Sequence, residues 1–217
     1  MRYKTIQAPK DNIRNSILRE AKIEFFSKGF HRANLRDIAG RCGISVGNIY
    51  NYFSGKNDIF RELVFKTACE IEGVISEQSK LGYLKRPEVW GHDYHMSIAK
   101  EIAAFIDTNR EAMTLLLFHS HGSDYENFRE KITEIFTESW VVFFKWLNEE
   151  YPDNGVNVSD FFLHNMASFY LNVVAEILMH NISYSSMLSY LEEMMEFVFQ
   201  GWKPLMNWYK FLPWPVE

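Results

Sequence analysis

Hydrophobic residues recur every three or four positions through most of this 217-residue chain, and an alternation of apolar and polar residues is nowhere sustained. Glycine and proline, with 11 and 6 copies, are sparse. The pattern predicts an all-α protein. Because 47% of the residues are hydrophobic, the chain can bury a substantial core in one or two domains.

The first predicted helix begins at Asp11 or Asn12, either of which can cap it, and ends at Gly29. Its apolar stripe consists of Ile13, Ile17, Leu18, Ala21 and Phe25. We expect this helix to support the two helices that follow. The residues before it, 1 to 10, contain Arg2, Lys4 and Lys10 and no acidic residue, and they predict an arm that either touches phosphates or is disordered.

The second predicted helix begins after Asn34, whose side chain can accept from an unpaired backbone N–H group. Asp37, three residues later, can return the bond in an arrangement similar to a capping box. The apolar positions of this helix are Leu35, Ile38, Ala39 and Cys42. Gly43 ends it, because a left-handed backbone costs glycine little.

Residues 43 to 56 predict a turn and a second short helix. Ser45 can cap that helix, and Ile44 and Ile49 have the spacing of a hydrophobic staple. Ile49 and Phe53 share one face, one turn apart. The residues that point elsewhere are Gly47, Asn48, Tyr50 and Asn51. A helix, a glycine turn and a capped short helix form a helix-turn-helix, whose second helix enters the DNA major groove.

Seven residues of this stretch form the pattern G-x-S-x-G-x-x-Y-x-Y-F-x-x-K. They are Gly43, Ser45, Gly47, Tyr50, Tyr52, Phe53 and Lys56. The pattern closely resembles the DNA-binding module of TetR-type (TetR/AcrR) bacterial transcriptional regulators, and the resemblance covers about residues 10 to 66. The G-x-S-x-G part also occurs in the nucleophile elbow of hydrolases, but that elbow follows a strand, whereas an amphipathic helix precedes Ser45.

Two amides of the second short helix, Asn48 and Asn51, can bind a base edge, preferentially that of adenine. Val46 stands where the family often has a polar or basic residue, and it can contact a thymine methyl group instead. The complete set of predicted DNA contacts is Asn34, Ser45, Val46, Gly47, Asn48, Tyr50, Asn51, Tyr52 and Lys56.

The resemblance also assigns roles to several of these residues. It implies that Tyr50 and Tyr52 lie against phosphates or a thymine methyl group and that Gly47 lets the backbone approach DNA closely. It implies that Ser45 and Lys56 hold phosphates. Lys56 falls in the first turn of a fourth predicted helix, where the helix dipole disfavours a cation. Its position is therefore better explained by a phosphate contact.

Charge is divided unevenly along the chain, although the net charge is −5. Residues 1 to 66 contain 13 Lys and Arg against 6 Asp and Glu, and the remaining residues contain 10 against 22. Phosphate groups attract the first part and repel the second, so DNA binding should be oriented. We therefore predict a DNA-binding domain at 1–66 and a second domain at 67–217.

The second domain is predicted to be helical throughout, with the fourth helix running into it. We expect a loop at about 79 to 93, an apolar helical region at 94 to 118 that breaks near 107 to 109, and a long helix at 124 to 150. After a break at 152 to 155, helices follow at 159 to 180 and 185 to 202. Residues 203 to 217 form an aromatic tail, with Trp208, Tyr209, Phe211 and Trp214, that should pack over the second domain or the dimer seam.

The last two predicted helices carry apolar stripes with seam-like spacing. In TetR-type regulators the equivalent pair forms a four-helix bundle with its twin, so the resemblance implies a homodimer; alternatively, both stripes face this chain's own core. The predicted interface residues are Phe162, Met166, Phe169, Val173, Ile177, Leu188, Leu191, Met195 and Val198.

The resemblance further implies that a small molecule binds the second domain and changes the separation of the two DNA-reading heads. The effector would be apolar or aromatic, because the candidate pocket residues are Phe105, Met113, Phe118, Trp140, Phe144, Met166 and Phe169. We thus predict a repressor that leaves a palindromic operator when its effector binds. The alternative is a DNA-bound structural or recruiting protein of the same fold that binds a protein partner.

Other classes of function lack support in the sequence. No activated nucleophile, phosphate loop or close acid pair indicates an enzyme. The seven histidines and two cysteines show no ligand set for a metal, so we expect no cofactor and no metal. No run of 18 or more apolar residues occurs, so we predict a cytoplasmic protein without a membrane partner.

Overall fold

The computed structural model describes residues 7–154 and 156–206, and within these residues it is entirely α-helical with short 3₁₀ turns. The helices are α1 Gln7–Arg32, α2 Leu35–Arg41, α3 Val46–Ile49, α4 Lys56–Gln78, α5 Leu81–Leu84, α6 His92–Phe118, α7 Phe128–Glu150, α8 Asp160–Met179 and α9 Tyr184–Met206. The all-α prediction is confirmed. Residues 1–6 of the predicted basic arm and the aromatic tail beyond residue 206 lie outside the described residues.

The chain divides into two compact units. The first contains residues up to Glu70 together with Glu111–Arg129, and the second contains Ile71–Arg110 and the residues from Glu130 onward. Residues 111–129, which the sequence assigns to the C-terminal domain, thus belong to the compact unit that holds the helix-turn-helix. The domain boundary after residue 66 stays a prediction.

The N-terminal helix begins earlier than its caps predicted. Asp11 and Asn12 lie inside α1, which starts at Gln7. Pro9 falls in the first turn, where the missing N–H group has no helical partner to lose. At Gly29 the backbone leaves the helical region, with φ 70° and ψ 162°. The regular helix therefore ends at Gly29 as predicted, and one further turn follows up to Arg32.

Two predictions about α6 and the loop before it are wrong. The region at 79–93 contains α5 and a 3₁₀ turn at Pro87–Trp90, and α6 runs unbroken through 107–109. Thr108 and Asn109 return their side chains to carbonyl groups of their own helix, Ala104 at 2.9 Å and Phe105 at 3.1 Å. These polar residues therefore fit the helix instead of ending it.

The other long helices differ from prediction mainly at their ends. The helix predicted to start at 124 begins at Phe128, because turns occupy 121–127. Ser159 caps α8, since its hydroxyl accepts from the Phe162 N–H group at 3.2 Å. Contrary to our prediction, α9 continues past Trp202 to Met206 with Pro204 inside it.

The core of the second unit is aromatic. Its buried cluster contains Leu84, Phe143, Phe144, Leu147, Val156, Leu163, Val198, Phe199, Trp202 and Met206. The ring of Trp202 lies 5.8 Å from Trp140 and 5.9 Å from Phe144, and its indole N–H donates to the Tyr170 hydroxyl at 3.4 Å. Burial, partly offset by this hydrogen bond, raises the pKa of Tyr170 to about 12. The phenol is therefore a neutral part of a packed core.

Helix α8 is long and apolar enough by composition to cross a membrane. A core helix passes the same test, and six residues of α8 are buried in the folded chain.

Candidate nucleic-acid interface

The cap of α2 is the first local feature that positions the interface. The Asn34 side-chain oxygen accepts from the Asp37 N–H group at 2.9 Å, which confirms the predicted cap. Asp37 does not complete a capping box. Its carboxylate instead accepts from the Asn34 side-chain amide at 2.8 Å and from Lys28 Nζ at 2.6 Å. Hydrogen bonds from Lys28 and Asn34 lower the pKa of Asp37, so the capped end of α2 is also an ion pair to α1.

A buried carboxylate makes a second link between these two helices, and no sequence pattern indicated it. Glu24 is only 1% exposed, and its oxygens lie 2.8 Å from Lys28 Nζ and 2.7 Å from Arg41 Nη2. Arg41 also lies 3.3 Å from the carboxylate of Glu20. Burial raises the pKa of Glu24, but the hydrogen bonds from Lys28 and Arg41 outweigh it and bring the pKa below its ordinary value. The carboxylate is therefore ionised and fixes α2 against α1.

The turn between α2 and α3 follows the predicted chemistry. Gly43 has φ 66°, and the next residue, Ile44, donates its N–H to the Ala39 carbonyl at 3.0 Å. Ser45 caps α3 by accepting from the Asn48 N–H group at 3.2 Å. Ile49 is fully buried and lies inward, as predicted.

The opposite face of α3 is open to solvent. Tyr50 is 56% exposed, Gly47 and Asn51 are also exposed, and Val46 and Tyr52 are half-buried. The helix proper is short, from Val46 to Ile49, and a turn continues it toward Phe53, whose N–H donates to Ile49 at 3.0 Å. A rigid buried side thus supports an accessible polar side.

The two amides on this face are paired. Asn51 donates its side-chain N–H to the Asn48 side-chain oxygen at 3.0 Å. Asn51 retains its carbonyl oxygen and one N–H, which are the two groups that pair with adenine in the major groove. Asn48 therefore orients Asn51, and the two residues can read a base as a unit.

Lys56 lies differently from the other predicted contacts. Its ammonium group donates to the carbonyl oxygens of Phe30 at 2.7 Å, Ala33 at 2.9 Å and His31 at 3.3 Å. It also lies 4.4 Å from the centre of the Phe30 ring. Burial lowers the pKa of Lys56. A contact between Lys56 and a phosphate stays a prediction, and it requires the ammonium group to exchange one of these carbonyls for DNA.

Most other cations of the first unit are also engaged. Within the described residues, acidic side chains pair with Arg14, Arg19, Lys22, Lys28, Arg41, Arg61 and Lys66. Arg36, in the first turn of α2, is exposed and has no ion pair or hydrogen bond within that part of the chain. The sequence analysis did not include Arg36 among the candidate DNA contacts. Its position two residues after the Asn34 cap, in the first turn of α2, is the feature of the sequence that indicates it.

The end of α6 and the turns after it pack on the helix-turn-helix unit. Phe30 donates its N–H to the His119 carbonyl at 2.9 Å, and Asp124 donates its N–H to the Asn57 side chain at 3.2 Å. The rings of Phe60 and Tyr125 are 6.3 Å apart. We call Phe30, Lys56 and His119 the three-helix junction, because they join the end of α1, the start of α4 and the end of α6.

The predicted ligand-pocket residues are divided between the two compact units. Met113 and Phe118 belong to the first unit, whereas Phe105 and the remaining four belong to the second. Those four are Trp140, Phe144, Met166 and Phe169, and all of them belong to or pack against the aromatic core cluster. Their role in binding a ligand stays a prediction.

The predicted interface residues fall into two groups. Within the single chain Val173, Ile177, Leu191, Met195 and Val198 are buried. The half-buried or exposed ones are Phe162, Met166, Phe169 and Leu188. The most exposed aromatic residues of α8 and α9 are instead Phe161, at 76%, and Phe197, at 70%.

Among the described residues no group of three or more His, Cys, Asp or Glu side chains is placed to hold a metal ion. Several histidines make pairwise contacts. His92 Nε2 lies 2.7 Å from a Glu196 oxygen, and the rings of His31 and His121 are 5.5 Å apart.

Comparisons with known proteins agree with this geometry. Residues 17–63 match the sequence model of a family described as bacterial regulatory proteins, tetR family. Over 64 residues the chain is 34% identical to the uncharacterized HTH-type transcriptional regulator YfiR of Bacillus subtilis (strain 168). This alignment covers 30% of the chain and 31% of that relative, so the chain matches about a third of the relative's length.

Two solved structures share the fold over nearly their whole length. A TetR-family transcriptional regulator from Bordetella parapertussis 12822 has a TM-score of 0.54 and 16% identity, with 85% of this chain and 94% of that chain covered. NalD, the secondary repressor of the MexAB-OprM multidrug efflux pump in Pseudomonas aeruginosa, also has a TM-score of 0.54 and 16% identity, with 87% and 95% covered. These matches are to regulators rather than to enzymes. The helix-turn-helix geometry and the family match over residues 17–63 identify a TetR-type DNA-binding domain, and the chain as a whole shares the fold of TetR-family transcriptional regulators.

Proposed function

We propose that this protein is a homodimeric repressor that binds a roughly palindromic operator and leaves it when a small apolar or aromatic molecule binds the C-terminal domain. The observation that carries the DNA-binding part is α3 with the turn that continues it, in which Ile49 is fully buried on one side and Tyr50 and Asn51 are exposed on the other. Such a helix can insert its polar side into the major groove without disturbing its own core.

Direct reading of bases falls to the Asn48 and Asn51 pair. Because the exposed side of α3 has no arginine or lysine, the strongest guanine contact is absent there, and adenine is the expected base. Tyr50 and Tyr52 supply sequence-independent contacts, and Arg36 adds a guanidinium that is available to a phosphate. The remaining predicted contacts, Asn34, Ser45, Val46, Gly47 and Lys56, are proposed at or next to the DNA surface.

Dimerisation is proposed through the outward faces of α8 and α9. Val173, Ile177 and Leu191 are already buried in a single chain, whereas Phe161 and Phe197 are exposed. Two large exposed aromatic side chains are costly in water, and a second copy would cover them. The dimer would then present two α3 helices about 34 Å apart, or a multiple of that spacing, to successive major grooves.

The repressor assignment is supported by the likeness to NalD, a secondary repressor with which this chain shares the fold. Effector control would act by a population shift, because a ligand changes an equilibrium only by its preference for one conformation. A protein partner in place of a metabolite is the second candidate. It is favoured by the packing of Trp140 and Phe144 with the aromatic core cluster and by the exposure of Phe161.

The test is selection of random duplex DNA by the purified protein at two salt concentrations. A palindrome whose affinity falls steeply with salt supports the proposal. Selection of a non-palindromic site would refute the symmetric dimer, and enrichment of no sequence would refute specific operator binding by the ligand-free protein.

The selected duplex then separates the two candidates for the second domain. A screen of apolar and aromatic compounds should find one that releases the protein from the operator. If no compound releases the protein from the operator, and a protein partner instead releases the complex or joins it, the recruiting function is correct and the ligand-responsive repressor is refuted.

A further inference from the structure

We propose that Lys56 is a positioning residue, whose ammonium group fastens the start of α4 to the end of α1, rather than a phosphate contact. The inference rests on the proposed DNA-binding function and changes the role of one residue within it. It also departs from what the resemblance implied for this lysine.

The geometry of the acceptors carries the inference. An ammonium group has three N–H donors and no acceptor, and three carbonyl oxygens, those of Phe30, His31 and Ala33, lie within 2.7 to 3.3 Å of Lys56 Nζ. All three come from residues 30 to 33, which follow the break in α1 at Gly29. The Phe30 ring face, 4.4 Å away, adds a cation–π contact. Every donor of the side chain is therefore used inside the protein.

Gly29 explains why these carbonyls are available. With φ 70° the backbone leaves the α-helix at this residue, and carbonyl groups at a helix end have no helical N–H donor. A lysine from another helix can then take the place of the missing helical donors. If Lys56 moved toward DNA, partly buried carbonyl groups would lose their hydrogen bonds. This loss costs more free energy than a solvent-exposed contact with a phosphate contributes.

At the three-helix junction the segment around Phe30 makes a second contact, with His119 after α6. Phe30 accepts from Lys56 through its carbonyl and donates its N–H to the His119 carbonyl at 2.9 Å. The peptide groups flanking Phe30 thus connect α4 and α6 to the segment that leads into α2. Lys56 therefore sets where the helix-turn-helix begins relative to α4.

The salt dependence of DNA binding distinguishes the two roles. Each phosphate contact contributes about −0.9 to the slope of log affinity against log salt concentration. We expect Lys56→Met to weaken operator binding about tenfold at every salt concentration, because hydrogen bonds to a charged group are lost, while the slope stays that of the unmodified protein. Arg36→Met is the matched comparison, since removing an exposed arginine that contacts a phosphate should make the slope less negative by about 0.9.

Hydrogen exchange in the DNA-free protein supplies the second measurement. Lys56→Met should speed exchange of the amides from Phe30 to Asp37, and Lys66→Met, which removes an exposed lysine of the same helix, should not. If Lys56→Met makes the slope less negative by about 0.9 and leaves the exchange unchanged, the proposal is overturned. If the unmodified protein selects no duplex, the proposed function fails, and the exchange comparison alone still decides whether Lys56 holds this turn.

A third measurement needs no substitution in case Lys56→Met does not fold. The ¹⁵Nζ signal of Lys56 in the unmodified protein should keep its position when operator DNA is added. A shift accompanied by coupling to ³¹P would show that the ammonium group has moved to a phosphate, and the positioning role would be wrong.

Discussion

Replacing Glu24 by glutamine should loosen the attachment of α2 to α1 without changing the shape of the side chain. Glu24 is 1% exposed and lies within 2.8 Å of two cationic side chains, those of Lys28 and Arg41. Breaking a buried ion pair by removing one partner typically costs about 3 to 5 kcal/mol. Lys28 keeps Asp37 and Arg41 keeps Glu20 as partners, so we expect a cost near the lower bound, about 3 kcal/mol.

The measurement must report on the first compact unit. All six tryptophans lie outside the residue ranges of that unit, so tryptophan fluorescence would follow only the second. Native-state hydrogen exchange of the amides of α1 and α2 is therefore the suitable assay. A cost of about 3 kcal/mol corresponds to exchange about a hundredfold faster for amides that exchange when α2 detaches.

Glu20→Gln is the matched control. Glu20 contacts the same Arg41, but its side chain is 13% exposed and lies 3.3 Å from the guanidinium. We expect a change below about 1 kcal/mol, as for other accessible ion pairs. Equal exchange rates in the two variants would refute the reasoning, because burial of the Glu24 carboxylate would then contribute nothing.

The difference between the Glu24 variant and the unmodified protein should also depend on pH. The pKa of Glu24 in the folded chain is below the ordinary value of 4.5, so the unfolded chain binds the proton more tightly. The stabilisation is fully present above pH 4.5 and is lost as the pH falls through the folded pKa. The difference in exchange should therefore be constant from about pH 7 to about pH 5 and should shrink at lower pH; a difference that grows on acidification would contradict this sign.

Three further predictions concern the interface and the dimer. Asn51→Ala should change the preferred base in the selected operator, whereas Tyr50→Ala should weaken binding to all sequences alike; uniform weakening by both would show that Asn51 does not read a base. Asn34→Ala should lower the free energy of unfolding of the first unit by about 1 kcal/mol, measured by hydrogen exchange, because one N–H group of α2 loses its cap. The double variant Phe161→Asp and Phe197→Asp should sediment as a monomer with unchanged helix content by circular dichroism, and a dimer would exclude this face as the interface.

Local chemistry made the helix-turn-helix predictable from the sequence. Asn34, Ser45 and Gly43 act on groups within three to five residues of themselves, and each does what its side chain or backbone predicts. The inward position of Ile49 follows from its spacing alone. Motifs of this kind need no knowledge of the remaining chain, so the amino-acid order by itself was enough to predict the fold class and the family.

Interactions between distant segments could not be predicted in the same way. The distance in sequence between Lys56 and Phe30 is 26 residues, and no spacing rule connects a lysine in the first turn of one helix with the carbonyls at the end of another. Glu24 has the same difficulty, because nothing in its sequence context distinguishes a buried glutamate from an exposed one. The unbroken α6 shows a third limit: Asn109 is typical of a helix end, yet its side chain bonds back to Phe105 and the helix continues.

The stripes on α8 and α9 illustrate why an interface is harder to predict than a helix. Periodicity identifies apolar positions but not the neighbour that covers them. Ile177 and Val198 are covered by their own chain, and the exposed Phe161 and Phe197 lie outside the predicted set. Only the three-dimensional packing separates the two groups.

The packing of residues 111–129 on α1 and α4 has a consequence for exchanging DNA specificity between proteins of this fold. A chimera that takes residues 1–66 from this chain and the rest from another protein would lose His121 and Tyr125, whose rings lie 5.5 Å from that of His31 and 6.3 Å from that of Phe60. The helix-turn-helix of the chimera would keep every DNA-facing residue but would lose part of the packing that stabilises it. A transplantable unit therefore has to carry residues 111–129 as well, and substitutions at the end of α1 and after α6 have to be chosen together.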